Sequence, residues 1–462
     1  MSNIEPNFHG KIHMRRVELK IVNSRLLVGD DFVEAGVAIE DGKITKVAKE
    51  PNLPDSDMTI DARSAVMLPG VVDVHVHMRD MDLSYKEDFS SGTQAAVAGG
   101  VTTVLDMPNT SPPTTSLERL KDKMGKAAGR TFCNIGFFGA LALEPNESDK
   151  MAREGAIGFK LYLNDPKYDR LMDEGLLARV LEPLRVLGST LSVHAEFPEG
   201  QTETANVTGA RNEIDEFISL HDPILEIRAV SKCVRMARDS GVHTHVCHLS
   251  TEAALTMVTK GKLDGIPITA EVTPHHLLLS EEALYRYGSY AKMVPPLRRA
   301  SDVRSLVQGL ADGRLDAVAS DHAPHSNEEK NLGFTSAPPG VPGLETMLPL
   351  LLTEVSEGRL SLGRIMQTMC ENPPRLFRLG NLGRIAEGYN ADIVLVDLRK
   401  EKVINSSDFF TKAKYTPFEG RKVKGVPVLT IVNGVPVMRD GELIKERATG
   451  KVVKPVVGVP PH

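Results

Sequence analysis

Through the middle of the chain, apolar runs repeatedly end on a His, Lys, Asn or Asp, and this feature restricts the fold more than any other. Eight runs read as strands: VVDVHVH, TTVLDMPN, CNIGFFGA, AIGFKLYL, TLSVHAE, HTHVCHLS, PITAEVTPHH and DAVASDHAPH. Amphipathic stretches such as LLARVLEPLRVLG and PILEIRAVSKCVRMARDSG separate them. This alternation predicts βα units and a parallel sheet. Eight units predict a closed TIM (β/α)8 barrel, with an open doubly wound sheet as the alternative. The polar residues favour the barrel. His75 and His77 close the first strand, Asn109 the second, Lys160 the fourth, His194 the fifth, His248 the sixth and Asp321 the eighth. A barrel draws its active site from the C-terminal ends of several strands, so these side chains would converge.

The two ends of the chain have another texture. Residues 15–68 alternate apolar and polar in VELKIVNSRLLV and FVEAGVAIEDGKITKVA, with turn signals at Gly29-Asp30 and Asp41-Gly42. Such period-2 runs predict antiparallel strands. The texture returns in residues 385–462, so a small β-sandwich built from both ends is expected around a barrel over 69–384. The polar opening over 1–14 is expected to be a flexible arm.

A net charge of −6 without a basic cluster argues against a nucleic-acid face. Cys133, Cys233, Cys247 and Cys370 lack CxxC pairing and read as reduced core residues. No signal-peptide pattern or long apolar run is present, so a cytoplasmic enzyme acting on small molecules is expected.

Two histidines at i and i+2 on a strand share a face and can bind one metal, though a lone HxH also arises by chance. Lys160 sits inside an apolar strand, where an unpaired ammonium is costly. It either pairs or snorkels, or takes up carbon dioxide as a carbamate able to bridge two metals. His194 and His248, taken singly, read as core histidines; beside His75, His77 and Lys160 they complete a two-metal inventory. His243, His245, His275 and His276 compete for that role. His245 lies deeper in its strand and reads as structural, while His275 and His276 could orient ligands from behind. Asp321 either caps the next helix or touches a metal and moves a proton.

In this order, HVHMR, DMPNT, GFKLYL, SVHAE, CHLST, EVTPHHL and ASDHAPH resemble the dihydroorotases of the amidohydrolase superfamily, over about Val17 to Val437. The resemblance implies two Zn(2+) ions bridged by N6-carboxylated Lys160. His75 and His77 would hold one metal, His194 and His248 the other, and Asp321 would bind the first and act as general base, then acid. Arg79, Asn109 and His325 would hold the substrate carboxylate near His77, with Pro339 and Gly340 lying against it from a mobile loop. The implied reaction is reversible cyclisation of N-carbamoyl-L-aspartate to L-dihydroorotate in pyrimidine (UMP) biosynthesis, by a homo-oligomer, dimer or tetramer.

The chain departs from the family pattern in three places. Arg79 precedes Asp80-Met81-Asp82, Val294 stands before PPLR where many bacterial relatives have Asn, and NDPKYDR follows Lys160's strand. These departures keep an allantoinase or dihydropyrimidinase in view. A non-catalytic scaffold should have lost a ligand, and all six are present.

Overall fold

The computed structural model describes residues 16–198, 211–444 and 448–456; the expected arm over 1–14 lies outside them. The N-terminal part forms β1 (Val17–Val28), β2 (Asp31–Glu40), β3 (Lys43–Ala48), β4 (Ser56–Asp61) and β5 (Val66–Pro69). The β2–β3 turn is made by Asp41 and Gly42, both at positive φ, as the Asp-Gly signal predicts.

The middle of the chain supplies β6 (Val71–Val76), β7 (Val101–Asp106), β8 (Asn134–Phe137), β9 (Gly139–Ala140) and β10 (Gly158–Tyr162). It continues with β11 (Thr190–His194), β12 (Thr244–Val246), β13 (Ile268–Val272) and β14 (Ala317–Val318). Each of the eight expected strand runs coincides with a strand, to within one residue for β7, and the third is divided into β8 and β9. The last part contributes β15 (Ile393–Val403), β16 (Lys422–Val432), β17 (Val435–Arg439) and β18 (Glu442–Leu443).

All pairs among β6–β14 are parallel. They fall into a three-stranded run, β6-β7-β8, and a six-stranded run, β14-β13-β12-β11-β10-β9. Only Phe138 separates β8 from β9. Its N–H donates to the Asp106 carbonyl at 3.0 Å, and the Phe137 carbonyl accepts from Ile157 at 2.9 Å. At the other margin Val76 bridges His322 in parallel, and the His77 N–H donates to the His322 carbonyl at 2.8 Å. The two runs therefore meet at both margins.

Strands β6, β7 and β11 are buried at every residue, as sheets covered on both faces must be. Alternate side chains feed two cores. Val71, Val104 and Leu191 pack on helix residues such as Leu120, Leu181 and Leu255. Their neighbours Val72 and Leu105 join Phe138, Ile157 and Ala319 on the opposite face.

Hydrogen bonding joins the two chain ends into a single nine-stranded sheet rather than two separate ones. The seam is β5, held between β1 and the antiparallel β15. Ile21, Ile39 and Met67 share one apolar cluster with Ile393 and Ile431, so neither end could bury its own face alone. The four cysteines are buried and unpaired, as expected.

Candidate active site

Strand β6 carries His75 and His77 on one face, and both Nε2 atoms turn to Asp321, which follows β14. The Asp321 Oδ1 lies 3.1 Å from His77 and 3.5 Å from His75. One donor atom from each residue falls within 4.8 Å of the others, a spacing able to hold a metal ion. Asp321 does not read as a helix cap here. Burial opposes its charge, but His75, His77 and His248 outweigh it and hold the carboxyl well below its usual range.

The two imidazoles are fixed from behind. His77 Nδ1 contacts Asn109 Oδ1 at 2.6 Å, and His75 Nδ1 contacts Glu271 Oε1 at 2.5 Å. A carboxylate or amide behind each ring sets the tautomer and leaves Nε2 as the donor. Asn109, expected on the substrate carboxylate, is thus engaged first with a histidine. Burial and Lys160 work against charge on His75, but Glu271, Cys247 and Asp321 overcome both and raise its pKa to about 10. Burial lowers His77 to about 4 despite Asp321.

Glu271 is the residue that reading strand ends missed. It sits within β13, 0% exposed, and also accepts from the His248 backbone and from His245 Nε2, both at 3.1 Å. The signal was a carboxylate inside the apolar run ITAEV, where only a partnered acid can stand. Both ring nitrogens of His245 are engaged, Nδ1 with Thr269 Oγ1 at 2.8 Å and Nε2 with Glu271. His276 is tied to Thr273 and the Pro295 carbonyl, so it does not reach the ligand set. His275 is buried, and its Nε2 has no partner among the described residues.

On the other side, His194 Nδ1 and His248 Nε2 face each other at 3.0 Å. Burial keeps both pKa values low, so these are facing neutral rings. His194 Nε2 is held by Asn164 at 3.1 Å, with Glu196 at 3.7 Å. Between the two clusters lies Lys160, 0% exposed, with Nζ 3.5 Å from His75 Nε2 and 2.9 Å from Cys247 Sγ. No carboxylate pairs with it among the described residues. Opposed imidazole nitrogens, an ionised carboxylate and a buried lysine without a carboxylate partner among the described residues fit a pair of divalent ions.

His248, Asp321, and Arg79 to Met81 all have positive φ, a strained backbone that persists where the surroundings demand it. The altered Asp80-Met81-Asp82 segment is held in that state by Asp80, which accepts from Met81 and Phe89 and pairs with Arg130. Below it, a buried Asp106–Lys123 pair at 2.7 Å anchors the Met78 N–H.

A cavity of about 630 Å³ opens over the histidines. Arg79 lines it, 8% exposed, donating to the Pro324 carbonyl at 3.1 Å and lying 3.2 Å from His325 Nε2. Among the described residues the guanidinium has no ion pair. Burial, then Arg79 and Lys86, lower His325 to about 3, so the ring is neutral. Its Nδ1 meets Lys86 at 3.2 Å and its Nε2 the Pro339 carbonyl at 2.9 Å. Pro339 and Gly340 line the cavity, as does Val294. Their segment does not hang free: a Cβ on Gly340 would meet the Ala323 carbonyl at 2.4 Å.

Parallel strands here deliver buried nitrogen and oxygen donors to one cavity, an arrangement able to hold metal ions. The amidohydrolase family model matches residues 66–437, and the chain belongs to that family. It is similar to the dihydroorotase of Methanothermobacter thermautotrophicus, 36% identical over 430 residues, 93% of this chain and 96% of that protein. It is similar also to the dihydroorotase of Pyrococcus abyssi, 34% identical over 443 residues, 95% and 99% of the two chains. Among solved structures it resembles the L-hydantoinase (dihydropyrimidinase) from Arthrobacter aurescens. That pair has a TM-score of 0.88 and 31% identity over 95% of this chain and 100% of the other.

Proposed function

We propose that the chain is a dihydroorotase, a cyclic-amide hydrolase that interconverts L-dihydroorotate and N-carbamoyl-L-aspartate. The observation that carries this reading is Arg79: a buried guanidinium in the cavity, without an ion pair among the described residues, beside a neutral histidine. An Arg fork suits a planar carboxylate, which dihydroorotate has and dihydrouracil, hydantoin and allantoin lack. The named relatives at 34–36% identity support the same choice.

His75, His77 and Asp321 would hold one ion and His194 and His248 the other, with Lys160 carboxylated between them. When bound, two zinc ions supply Lewis acidity that lowers the pKa of water and polarises a carbonyl. Asp321, held ionised, accepts the proton of the attacking water and delivers it to the ring nitrogen as the amide bond breaks. Condensation reverses these transfers. Arg79 and His325 hold the substrate carboxylate, and Pro339 and Gly340 form the wall against which the ring lies. Asn109 would reach that carboxylate while keeping His77 oriented.

The meeting of the strand runs at both margins supports a (β/α)8 barrel over 69–384, with 15–68 and 385–462 as one small sandwich-like domain. A cytoplasmic setting and a homo-oligomer, dimer or tetramer, belong to the same proposal; light scattering tests the second. No described helix is long and apolar enough to cross a membrane.

The hydantoinase-like fold favours a dihydropyrimidinase as the second reading. Initial rates with dihydroorotate, dihydrouracil, hydantoin and allantoin, before and after chelation, separate the two. Chelator-sensitive turnover of dihydroorotate is the expected result. Preference for an uncharged ring would overturn the assignment of Arg79.

A further inference from the structure

Two lysines outside the candidate ligand set hold one wall of the cavity: Lys292 lines it, and Lys330 bonds to the segment that does. Lys292 is 7% exposed and Lys330 1% exposed, and neither has an ion pair among the described residues. Lys292 Nζ donates to three carbonyls, of Phe334 at 2.8 Å, Ala337 at 2.9 Å and Thr335 at 3.1 Å. Lys330 Nζ donates to the Pro338 and Gly340 carbonyls, both at 3.0 Å. Five carbonyls within seven residues are thus gathered by two lysine amino groups, and burial, then Lys292, lowers the pKa of Lys330 to about 7. The return contact closes the unit, since the Gly340 N–H donates to the Lys292 carbonyl at 2.8 Å.

This knot forms one side of the cavity, which Lys292, Met293 and Val294 line together with Phe334, Thr335, Pro339 and Gly340. Desolvating an ammonium without a counter-charge is costly. Neutral amide donors could tie a surface loop without that cost. Aromatic faces lessen it: Lys292 lies 5.3 and 5.1 Å from the Phe217 and Phe334 rings, and Lys330 5.5 Å from Tyr415. The knot also reaches the carboxylate pocket. Pro339, enclosed between the two carbonyls that Lys330 holds, is the residue whose own carbonyl meets His325 Nε2.

We propose that Lys292 and Lys330 are positioning residues that hold the 334–340 wall in its substrate-lining form and, through Pro339, set the orientation of His325 beside Arg79. The wall is therefore built before substrate arrives. The kinetic part of this proposal rests on the dihydroorotase reading above; the structural part does not.

The test compares metal-loaded wild type with Lys330→Met, Lys292→Met and Lys330→Gln. Two readouts are taken: KM and kcat for dihydroorotate, and amide hydrogen exchange over 333–341. Each Met variant should raise KM at least tenfold with kcat within about threefold, and should speed exchange in that segment. The Gln variant keeps a donor and should recover much of both. Unchanged KM together with unchanged exchange in the Met variants would overturn the proposal. So would a fall in melting temperature and kcat that leaves KM alone, since that is the mark of a merely structural lysine. If wild type itself does not turn over dihydroorotate, the functional reading fails. Exchange over 333–341 then still decides whether the lysines hold the wall.

Discussion

Replacing Glu271 by Gln would remove one negative charge from behind the histidine cluster while keeping the size of the side chain. The Glu271 carboxylate serves His75 Nδ1 at 2.5 Å, His245 Nε2 at 3.1 Å and the His248 N–H at 3.1 Å. A charge-assisted hydrogen bond contributes about 1.5–3 kcal/mol, against roughly half that for a neutral one. The variant should therefore lose about 0.75–1.5 kcal/mol of support for His75 as a donor, roughly a 3–13-fold loss of metal affinity, at the lower end of the 10–100-fold that such partners command. A zinc titration against a competing chelator reads this directly, with dihydroorotate turnover at saturating metal as a second readout. Because the charged partners also raise the pKa of His75 to about 10, the proton competes with the metal more strongly in wild type than in the variant. The deficit should consequently widen as pH rises from 7 towards 10. Affinity within twofold of wild type across that range would refute the reasoning. Glu271→Ala is the control for packing, since it orphans two buried imidazole groups at about 1–3 kcal/mol each.

Three other outcomes follow from the same geometry. Asp321→Asn should lower kcat about 10²–10⁴-fold with little change in KM, the loss expected of a proton-transfer group; a large KM effect at normal kcat would move Asp321 out of the chemistry. Gly340→Ala places a methyl 2.4 Å from the Ala323 carbonyl at φ +136°, so denaturant unfolding should show roughly 1–3 kcal/mol of lost stability, and an unchanged midpoint would show that the wall yields. His243, bonded to Thr190 and Thr269, is lowered by burial to about 3, so between pH 6.5 and 3 the unfolded chain binds the proton that the native one refuses. Stability there rises with pH, and wild type should lose about 2–3 kcal/mol more than His243→Gln between pH 6.5 and 4.5; parallel losses would remove His243 as the cause.

The proposed metal ligands are legible in the sequence because most of them are local to strand ends. His75, His77, His194, His248 and Asp321 each close or follow an apolar run, and a parallel sheet with covered faces exposes only those ends, while Lys160 stands out as a charge inside one. Glu271 was not readable in that way. It is, like Lys160, a charge inside a strand, but its value comes from His75, 196 positions earlier in the chain. Asn109 was visible as a strand-end polar residue, yet its contact with His77 depends on how β6 and β7 pair. Lys292 and Lys330 carried no pattern at all, because a backbone carbonyl is present at every residue and only the folded loop brings five of them together.

Alternation of apolar runs and amphipathic helices, with polar residues at the run ends, was enough to determine the class of fold and the identities of the candidate ligands. Tertiary structure decided which partner stands behind each ligand, how the two chain ends share one sheet through β5, and which side chains build the wall. The physical reason is one of range. Periodicity and strand-end chemistry act over a few neighbouring residues, whereas satisfying a buried charge or an orphaned carbonyl depends on groups hundreds of positions away that only the closed chain brings within hydrogen-bond reach.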